Sequence, residues 1–240
     1  MGEVALRVLT WNLMHGRAVP PAGRYLEDEF AAALGRWEWD LALLQEVPPW
    51  WPAALGERLR ADQRLVPTSR NLLLPVRRSL AIRWPDAMKS NGGGSNAILA
   101  RRGKILDHRK LRLCMLPERR WVHGVAVAGA DGADETLWIA NLHLTVRNLE
   151  AAAREAEAAA RALLEWAGGG PAVIGGDFNL PDPSLPGFEP AAGHGVDHVF
   201  VHGLHVVGDG EVLVRGLLSD HAPVSVGLVP AAEAVARPYD

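Results

Sequence analysis

Cysteine is almost absent from the 240-residue sequence, which contains only Cys114. A single cysteine cannot form an internal disulfide, and no histidine or second cysteine stands at metal-binding spacing around it. Positive charge is also scarce, since the formal net charge is −3 at pH 7. No cluster of aromatic and basic residues of the kind that binds single-stranded nucleic acid is present. These absences exclude a disulfide framework and weaken a nucleic-acid function, although a local groove on an acidic protein can still be basic.

Long hydrophobic runs are missing as well. No segment approaches the roughly 18 consecutive apolar residues of a membrane-spanning helix. The first residues, MGEVALRVLTWNL, lack the basic region and long apolar stretch of a secretory signal. We therefore expect a cytoplasmic protein without a membrane span, and we expect it to be a monomer.

What is present is typical of a globular α/β domain, with 48% hydrophobic and 22% charged residues. No repeat, linker or charge block divides the chain, so we expect one domain over residues 1–230 and a loose tail over 231–240. Strands outnumber helices and often come in adjacent pairs, which favours two sheets over one doubly wound sheet. The predicted helices cover residues 24–37, 49–61 and 147–170. The predicted strands cover residues 5–13, 40–47, 79–84, 96–102, 121–129, 136–144, 171–176, 197–207 and 222–229.

Polar side chains stand at the ends of five of these apolar segments. The segment VIGGDFNLPDP shows the pattern, because an apolar run stops at two glycines and then presents an acid and an amide. Glycine, Asp, Asn and Pro also form simple turns, so this segment alone is ambiguous. Five such ends on rigid strands indicate a preorganised site. The residues are Asn12, Gln45 with Glu46, His143, Asp177 with Asn179, and Asp220 with His221.

The residue types at these ends indicate a chemistry. Carboxylate and amide oxygens are hard ligands that suit Mg²⁺ or Mn²⁺ better than zinc. Two histidines can donate hydrogen bonds to anionic oxygens. No nucleophile motif such as G-x-S-x-G occurs, so the expected nucleophile is water. The combination predicts metal-assisted hydrolysis of a phosphate ester.

The sequence resembles the endonuclease/exonuclease/phosphatase superfamily of metal-dependent phosphoesterases. The resemblance is carried by TWN, LLQEV, SNAILARR, NLHL, GGDFN, VDHVFV and SDHAPV, which follow the family's order and extend from Thr10 to Val224. It implies a four-layer αββα sandwich of two mixed, mainly antiparallel sheets flanked by helices. The site would lie at one end of the two sheets, and a divalent ion, Mg²⁺ or Mn²⁺, would be the cofactor.

The resemblance also implies which residues would hold the metal. Glu46 would be the principal metal carboxylate. Asn12 would help to hold the metal or its waters, and Asp220 would complete the inner or outer shell. Gln45 is more consistent with a structural role.

The catalytic roles follow from the same resemblance. Asp177 would orient or deprotonate the attacking water, while Asn179 would fix Asp177 and contact a phosphate oxygen. His221 would stabilise the transition state, with Asp197 holding its ring from behind. His143 would contact the phosphate from the other side.

Several residues have two interpretations in the sequence. The segment GHGVDHVFVHGLH suggests a zinc site, but the family pattern needs only Asp197 there. Trp50 and Trp51 fit either an exposed substrate wall or the core, and the core is the safer interpretation. Arg119 and Arg120 fit either a phosphate contact or the surface. Lone histidines such as His15 are interpreted as structural or solvated. Asn96 begins a strand near the site and is a candidate support for His143.

The substrate is less constrained than the chemistry. Only nineteen residues, nine of them Pro, Gly or Ala, separate Asp177 from Asp197, which leaves little room for loops that could hold DNA. The sequence favours a phosphodiesterase of endonuclease or exonuclease type acting on DNA or RNA. The alternative is a phosphatase or phosphodiesterase for a small-molecule or lipid phosphate, such as a phosphoinositide or a sphingomyelin-like lipid. A non-catalytic phosphate-binding protein is the third hypothesis, although every expected catalytic residue is present.

Overall fold

Two six-stranded sheets form the centre of the structure, a computed structural model that describes residues 6–68, 71–87, 94–128 and 136–231. The helices are α1 (Glu27–Arg36), α2 (Trp51–Leu59), α3 (Leu74–Arg83) and α4 (Leu149–Ala167), and a short 3-10 turn covers Met14–Gly16. The predicted turn at 130–135, most of the glycine-rich loop at 90–96 and residues 232–240 of the predicted tail lie outside the described residues.

The first sheet contains the strands β1 (Leu6–Asn12), β2 (Leu41–Val47), β3 (Asp62–Pro67), β4 (Ser95–Ala100), β11 (Leu204–Val212) and β12 (Val224–Pro230). Their order is β11-β12-β1-β2-β4-β3. The central pair β1 and β2 is parallel, with Asn12 opposite Gln45, and the other pairs are antiparallel. Parallel neighbours need a crossover connection, which α1 provides.

The second sheet contains the strands β5 (Ile105–Cys114), β6 (Arg120–Ala128), β7 (Thr136–His143), β8 (Ala172–Asp177), β9 (Glu189–His194) and β10 (Asp197–His202). Their order is β5-β6-β7-β8-β10-β9. The pair β7 and β8 is parallel and is connected through α4, while the other pairs are antiparallel. Each sheet therefore has one parallel pair at its centre.

Three apolar layers hold the sheets and helices together. Alternate residues of a strand point to opposite faces, so Leu41 and Leu43 pack between the sheets while Ala42 and Leu44 pack under α1 and α2. A third cluster joins the second sheet to the alanine-rich face of α4. The order helix, sheet, sheet, helix confirms the expected four-layer αββα sandwich.

Helix α4 is the element that the sequence specifies most completely. Alanine, Leu, Glu and Arg dominate it, and all have high helix propensity. The side chain of Asn148 caps its first turn by accepting a hydrogen bond from Ala151 N at 3.0 Å. Gly168 ends it in the left-handed conformation at φ 61°.

Two strand predictions are wrong. The predicted strand at 79–84 is part of the helix α3, because Pro75 in the first turn favours a helix start and the Leu, Arg and Ala that follow have high helix propensity. The predicted strand at 197–207 is two strands that belong to different sheets. Gly203, at φ 67°, separates them, and the chain passes from β10 in the second sheet to β11 in the first. Local alternation cannot report such a change of sheet.

The two glycines before Asp177 lie inside β8 rather than in a turn. A Cβ at Gly176, whose φ is 144°, would stand 2.0 Å from the carbonyl oxygen of Leu142 on β7. A Cβ at Gly175 would stand 2.8 Å from the side chain of Leu43 in the other sheet. The glycines therefore permit close approach of neighbouring backbone and side chains just below the site.

Among the helices that the structure describes, none combines the length and the apolar character needed to cross a membrane.

Candidate active site

The candidate active site lies where the carboxyl ends of the two parallel strand pairs meet. Asn12 and Glu46 stand at the ends of β1 and β2, while His143 and Asp177 end β7 and β8 and are register partners. A cavity of about 280 Å³ opens between them. It is lined by six of the residues expected from the sequence: Asn12, Glu46, His143, Asp177, Asn179 and His221.

Several residues in or near the site have left-handed backbone conformations, with positive φ, that set the direction of the functional side chains. Glu46 has φ 51° and lies at an irregularity in the pairing of β2 with β4, between Leu44 and Val47. Asn179 has φ 51°, and Ser219, two residues before His221, has φ 61°. Non-glycine residues in this region cost on the order of 1–3 kcal/mol each and persist where the surrounding structure holds them. The strain is consistent with side chains that are positioned for a function.

Asp177 is buried at the base of the cavity and is held by two amides. Its Oδ2 accepts a hydrogen bond from Nδ2 of Asn12 at 3.0 Å, and its Oδ1 accepts one from the backbone N of Asn179 at 3.0 Å. Burial, reinforced by the charge of Asp197, raises the pKa of Asp177 to about 7. A carboxyl group with such a pKa can exchange a proton near neutral pH.

His221 and Asp197 form a short hydrogen-bonded pair. Nδ1 of His221 lies 2.6 Å from Oδ2 of Asp197, which is the register partner of Asp177 across β8 and β10. Nε2 of His221 lies 3.9 Å from Oδ2 of Asp177. Burial lowers the pKa of His221, but the hydrogen bond and charge of Asp197 outweigh it and raise the pKa to about 9. The ring is therefore an imidazolium at neutral pH, and its Nε2–H faces the cavity.

His143 lies between the two carboxylates of the site. Its Nε2 is 3.5 Å from Oδ2 of Asp177, and its Nδ1 is 4.0 Å from Oε1 of Glu46. Burial, followed by the positive charge of Arg120, lowers the pKa of His143 well below its usual range. A neutral ring offers one donor and one lone pair, so it can contact an anion or bind a metal.

The three expected metal ligands occupy different positions. Glu46 faces the cavity. Asn12 uses its amide nitrogen on Asp177, and its Oδ1 accepts a hydrogen bond from Met14 N at 2.9 Å. An amide oxygen has two lone pairs, so one remains for a metal. Asp220 is 55% exposed, and its Oδ1 lies 3.9 Å from Nε2 of His221, which places it at the rim.

A second arrangement also meets the geometry of a metal centre. Asp177, Asp197 and His221 each offer a ligand atom, and these atoms lie within 4.8 Å of one another. Nδ1 of His221 and Oδ2 of Asp197 are 2.6 Å apart, which is the length of a charge-assisted hydrogen bond, so these two atoms are already engaged with each other. His221 and Asp197 therefore form a hydrogen-bonded pair, with Asp177 3.9 Å from the other ring nitrogen, and the oxygen donors around Glu46 suit a hard metal ion better.

Two residues that the sequence left undecided or assigned elsewhere line the cavity. Arg120 is buried, with its guanidinium 3.0 Å from Oε2 of Glu118, so the surface interpretation is wrong for Arg120, whereas Arg119 is exposed. His15 approaches Glu46, with Nε2 3.1 Å from Oε2. A lone histidine has no periodicity to mark it. Its place three residues after Asn12 and immediately before Gly16 was the available signal.

The loop that carries His221 is fixed by contacts that sequence reasoning missed. The indole Nε1 of Trp11 donates to the carbonyl oxygen of His221 at 3.0 Å. Oγ of Ser219 donates to the carbonyl oxygen of Asn12 at 2.7 Å and accepts from the backbone N of His221 at 3.1 Å. The final loop is thereby attached to the end of β1.

The loop after His143 is attached to α4 in a similar way. The buried carboxylate of Glu155 accepts hydrogen bonds from the backbone N and the hydroxyl of Thr145 at 2.8 and 2.6 Å. Nδ2 of Asn179 donates to the carbonyl oxygen of Leu144 at 3.0 Å. Helix α4 therefore holds the loop after His143, and that loop in turn holds Asn179.

Several other residues named from the sequence have structural surroundings. His198 and His202 bond the carbonyl oxygens of Leu180 and Gly187, at 3.0 and 2.7 Å, which is not the arrangement of a zinc site. Trp51 is fully buried, which confirms the core interpretation. Asn96 is buried without a hydrogen-bond partner among the described residues, so the expected support of His143 is not found there.

The comparisons with known proteins agree with this geometry. Residues 9–221 match the model of the "Endonuclease/Exonuclease/phosphatase family". No curated protein matches the chain.

Solved structures share the fold. An endonuclease/exonuclease/phosphatase from Beutenbergia cavernae has a TM-score of 0.70 at 21% identity, covering 95% of this chain and 72% of that one. One from Bacteroides vulgatus has 0.71 at 18% identity, covering 94% and 98%. A mannosyl-6-phosphatase of Bacteroides thetaiotaomicron has 0.70 at 19% identity, covering 93% and 99%. At these identities the structures show the fold alone. With the family match over residues 9–221, the chain belongs to the endonuclease/exonuclease/phosphatase family of hydrolytic phosphoesterases.

Proposed function

We propose that the protein hydrolyses phosphate esters with a divalent metal ion and a water molecule as the nucleophile. The observation that carries this proposal is the arrangement of Asp177 between two amide donors and opposite His221, beside the carboxylate of Glu46. A base, a cationic donor and a hard metal ligand around one cavity are the components of phosphoester hydrolysis.

Each residue has a role in this chemistry. Asp177, oriented by Asn12 and Asn179, accepts the proton of the attacking water. His221, held by Asp197, donates from Nε2 to a phosphoryl oxygen as negative charge develops there. Donors that are already in place when charge develops lower the barrier because they need no reorganisation.

The donor set around Glu46 fits Mg²⁺ or Mn²⁺. Glu46 would hold the ion, Asn12 would add an amide oxygen, and Asp220 at the rim would bind its water shell. When bound, the ion would polarise the phosphoryl group and lower the pKa of coordinated water.

The cavity favours a small phosphate group over a long nucleic acid. Its volume of about 280 Å³ lies at the small end of ligand pockets. Arg120 is the only residue with a permanent positive charge among the described residues that line it. A nuclease requires a row of cations along the phosphate backbone. Within the small-molecule or lipid alternative, we therefore favour a small-molecule phosphate ester as the first candidate, with Arg120 as the residue that binds the phosphate.

A lipid-linked phosphate is the second candidate, and helix α3 favours it. Leu72, Leu73, Val76, Ile82 and Trp84 are exposed along this segment. The same segment carries three arginines and no acid between residues 71 and 85. Exposed apolar side chains mark surfaces that contact other molecules or membranes, and arginines beside them attract anionic headgroups.

The segment also begins at the mouth of the cavity. Asn71 donates to the carbonyl oxygens of Thr68 and Gly94, and both of those residues line the cavity. A lipid bound beside α3 would present its headgroup to the site.

The test is a substrate panel assayed with Mg²⁺, with Mn²⁺ and with chelator. The panel contains p-nitrophenyl phosphate, bis-p-nitrophenyl phosphate, phosphoinositide vesicles and supercoiled plasmid. We expect metal-dependent hydrolysis of a small or lipid ester, intact plasmid, and loss of activity in Asp177→Asn. The exposed carboxylate variant Asp209→Asn is the matched control and should keep full activity. Efficient plasmid nicking would overturn the substrate assignment, and hydrolysis unaffected by Asp177→Asn would overturn the mechanism.

A further inference from the structure

His15 lies in a turn that is fixed against the core. The 3-10 turn Met14–Gly16 follows β1, and both Met14 and His15 have positive φ, 48° and 55°. A Cβ on Gly16 would stand 2.4 Å from the ring of Trp51, so the turn packs directly on that buried indole. His15 is therefore held on the cavity wall at the expense of backbone strain, which is the pattern of a functional position.

The imidazole of His15 and the carboxylate of Glu46 are spaced like two ligands of one ion. Adjacent ligands of an octahedral ion, with bonds of about 2.1 Å, lie about 3 Å apart. Nε2 of His15 is 3.1 Å from Oε2 of Glu46. Both side chains are partly accessible, 19% and 26%, and both line the cavity. An ion at Glu46 could therefore reach the ring nitrogen.

We propose that His15 is a nitrogen ligand of the metal at Glu46 and that it makes the site prefer Mn²⁺ to Mg²⁺. The inference rests on the proposed function, which places a divalent ion at Glu46. Mg²⁺ binds oxygen almost exclusively and keeps its waters, whereas Mn²⁺, although it also prefers oxygen ligands, is a transition-metal ion that accepts one imidazole nitrogen beside them more readily than Mg²⁺ does. A nitrogen beside the principal carboxylate therefore changes the choice of ion.

Metal binding can be measured without turnover. We would titrate Mn²⁺ into the 240-residue protein by calorimetry and by electron paramagnetic resonance, and would determine Mg²⁺ affinity by competition. The variants are His15→Ala and His15→Gln, and the control is His205→Ala, an exposed histidine on β11. Mutation even of a residue that only orients a metal ligand typically costs about 10–100-fold in affinity, so loss of a ligand should cost at least as much.

We expect His15→Ala and His15→Gln to weaken Mn²⁺ binding by at least about tenfold and Mg²⁺ binding by less than about threefold. We also expect the spin-echo modulation from a coordinated histidine nitrogen to decrease in both variants. His205→Ala should leave both affinities and the nitrogen signal unchanged. The glutamine variant preserves a polar side chain of similar length, so it separates the lost ligand from a disturbed turn.

Three outcomes would overturn the inference. Equal losses of affinity for the two ions would mean that His15 only orients Glu46. Unchanged affinities would mean that His15 does not reach the ion. Absence of Mn²⁺ binding to the wild type would mean that the proposed metal site does not exist. The hydrolysis assay tests the proposed function independently of these metal-binding measurements. A wild type that binds Mn²⁺ through His15 but hydrolyses nothing would contradict the proposed function and leave this inference standing.

Discussion

Side chains at the base of the cavity act in pairs, each functional group being held by a second residue. Asp177 is held by Asn12 and by the backbone of Asn179, and His221 is held by Asp197. The second member of each pair fixes an orientation and an ionisation state. Removing the functional group and removing its partner should therefore have different consequences.

Replacement of His221 by Ala should lower kcat by about 100- to 1000-fold, the usual effect of deleting one preorganised donor to a developing negative charge. KM should change much less, because the donor contributes mainly in the transition state. Steady-state kinetics on the best substrate of the panel would measure both parameters. His202→Ala, at a histidine outside the cavity, is the control. A loss below about tenfold would contradict the role of His221.

The strands place these pairs through the two parallel ladders. Asn12 and Gln45 are partners in one ladder, and His143 and Asp177 are partners in the other. A buried polar link connects the two sheets directly below the site. Nε2 of Gln45 donates to Oδ1 of Asn141 at 2.8 Å, and Nδ2 of Asn141 donates to carbonyl oxygens of Leu44 and Ala97 at 2.9 Å.

Asn141→Leu should lower the free energy of unfolding by about 3 kcal/mol, since it removes three buried hydrogen bonds that are typically worth about 0.5–1.5 kcal/mol each. Chemical denaturation monitored by tryptophan fluorescence would measure the loss. The double variant Gln45→Leu with Asn141→Leu should lose clearly less than the sum of the two single variants, because each single variant already removes the hydrogen bond that the two amides share. Strict additivity would show that the link between the sheets is energetically unimportant.

The molecule as a whole depends on the packing of one sheet on the other, and one buried polar site lies within that packing. His123 on β6 is fully buried on the face that carries Val125 and Val127 toward the first sheet. Its Nδ1 lies 3.2 Å from Nε2 of His108 on β5. Burial, followed by the charges of His108 and Lys110, lowers the pKa of His123 well below its usual range.

This buried histidine predicts a dependence of stability on pH. Below about pH 6.5 the unfolded chain protonates His123 while the folded chain does not, so folding stability decreases as the pH falls. The decrease is up to about 1.4 kcal/mol per pH unit for one such group. The facing charges on β5 and β3, His108, Lys110 and Arg64, act against protonation of the pair.

His123→Gln should remove most of this contribution between pH 7 and pH 5. Denaturant melts at several pH values would compare its slope with that of the wild type. His108→Gln, at a half-buried position, provides a second variant that disturbs the core less and should also reduce the slope. The exposed variant His205→Gln should keep the slope of the wild type. If the stability of both core variants falls with decreasing pH as steeply as that of the wild type, the prediction is contradicted.

The sequence by itself determined the family, the layered architecture and the identity of six of the twelve described residues that line the cavity. These features depend on local sequence. Apolar alternation indicates the strands, helix propensity indicates α4, and short motifs such as GGDFN indicate the polar strand ends. The αββα sandwich followed from the family's motifs, which the match over residues 9–221 and the two observed sheets confirm.

Only the tertiary structure decided how those residues meet. The side chains of His143 and Glu46 approach each other across the two sheets, and the contact between His221 and Asp197 joins the loop before β12 to the first residue of β10. His15 and Asn141 carry no local pattern, and their roles arise from long-range packing. The sequence also does not reveal that the chain passes from one sheet to the other between β10 and β11, because the apolar alternation continues through both strands. Contacts between distant residues depend on the free energy of the whole packed chain, which no local segment contains.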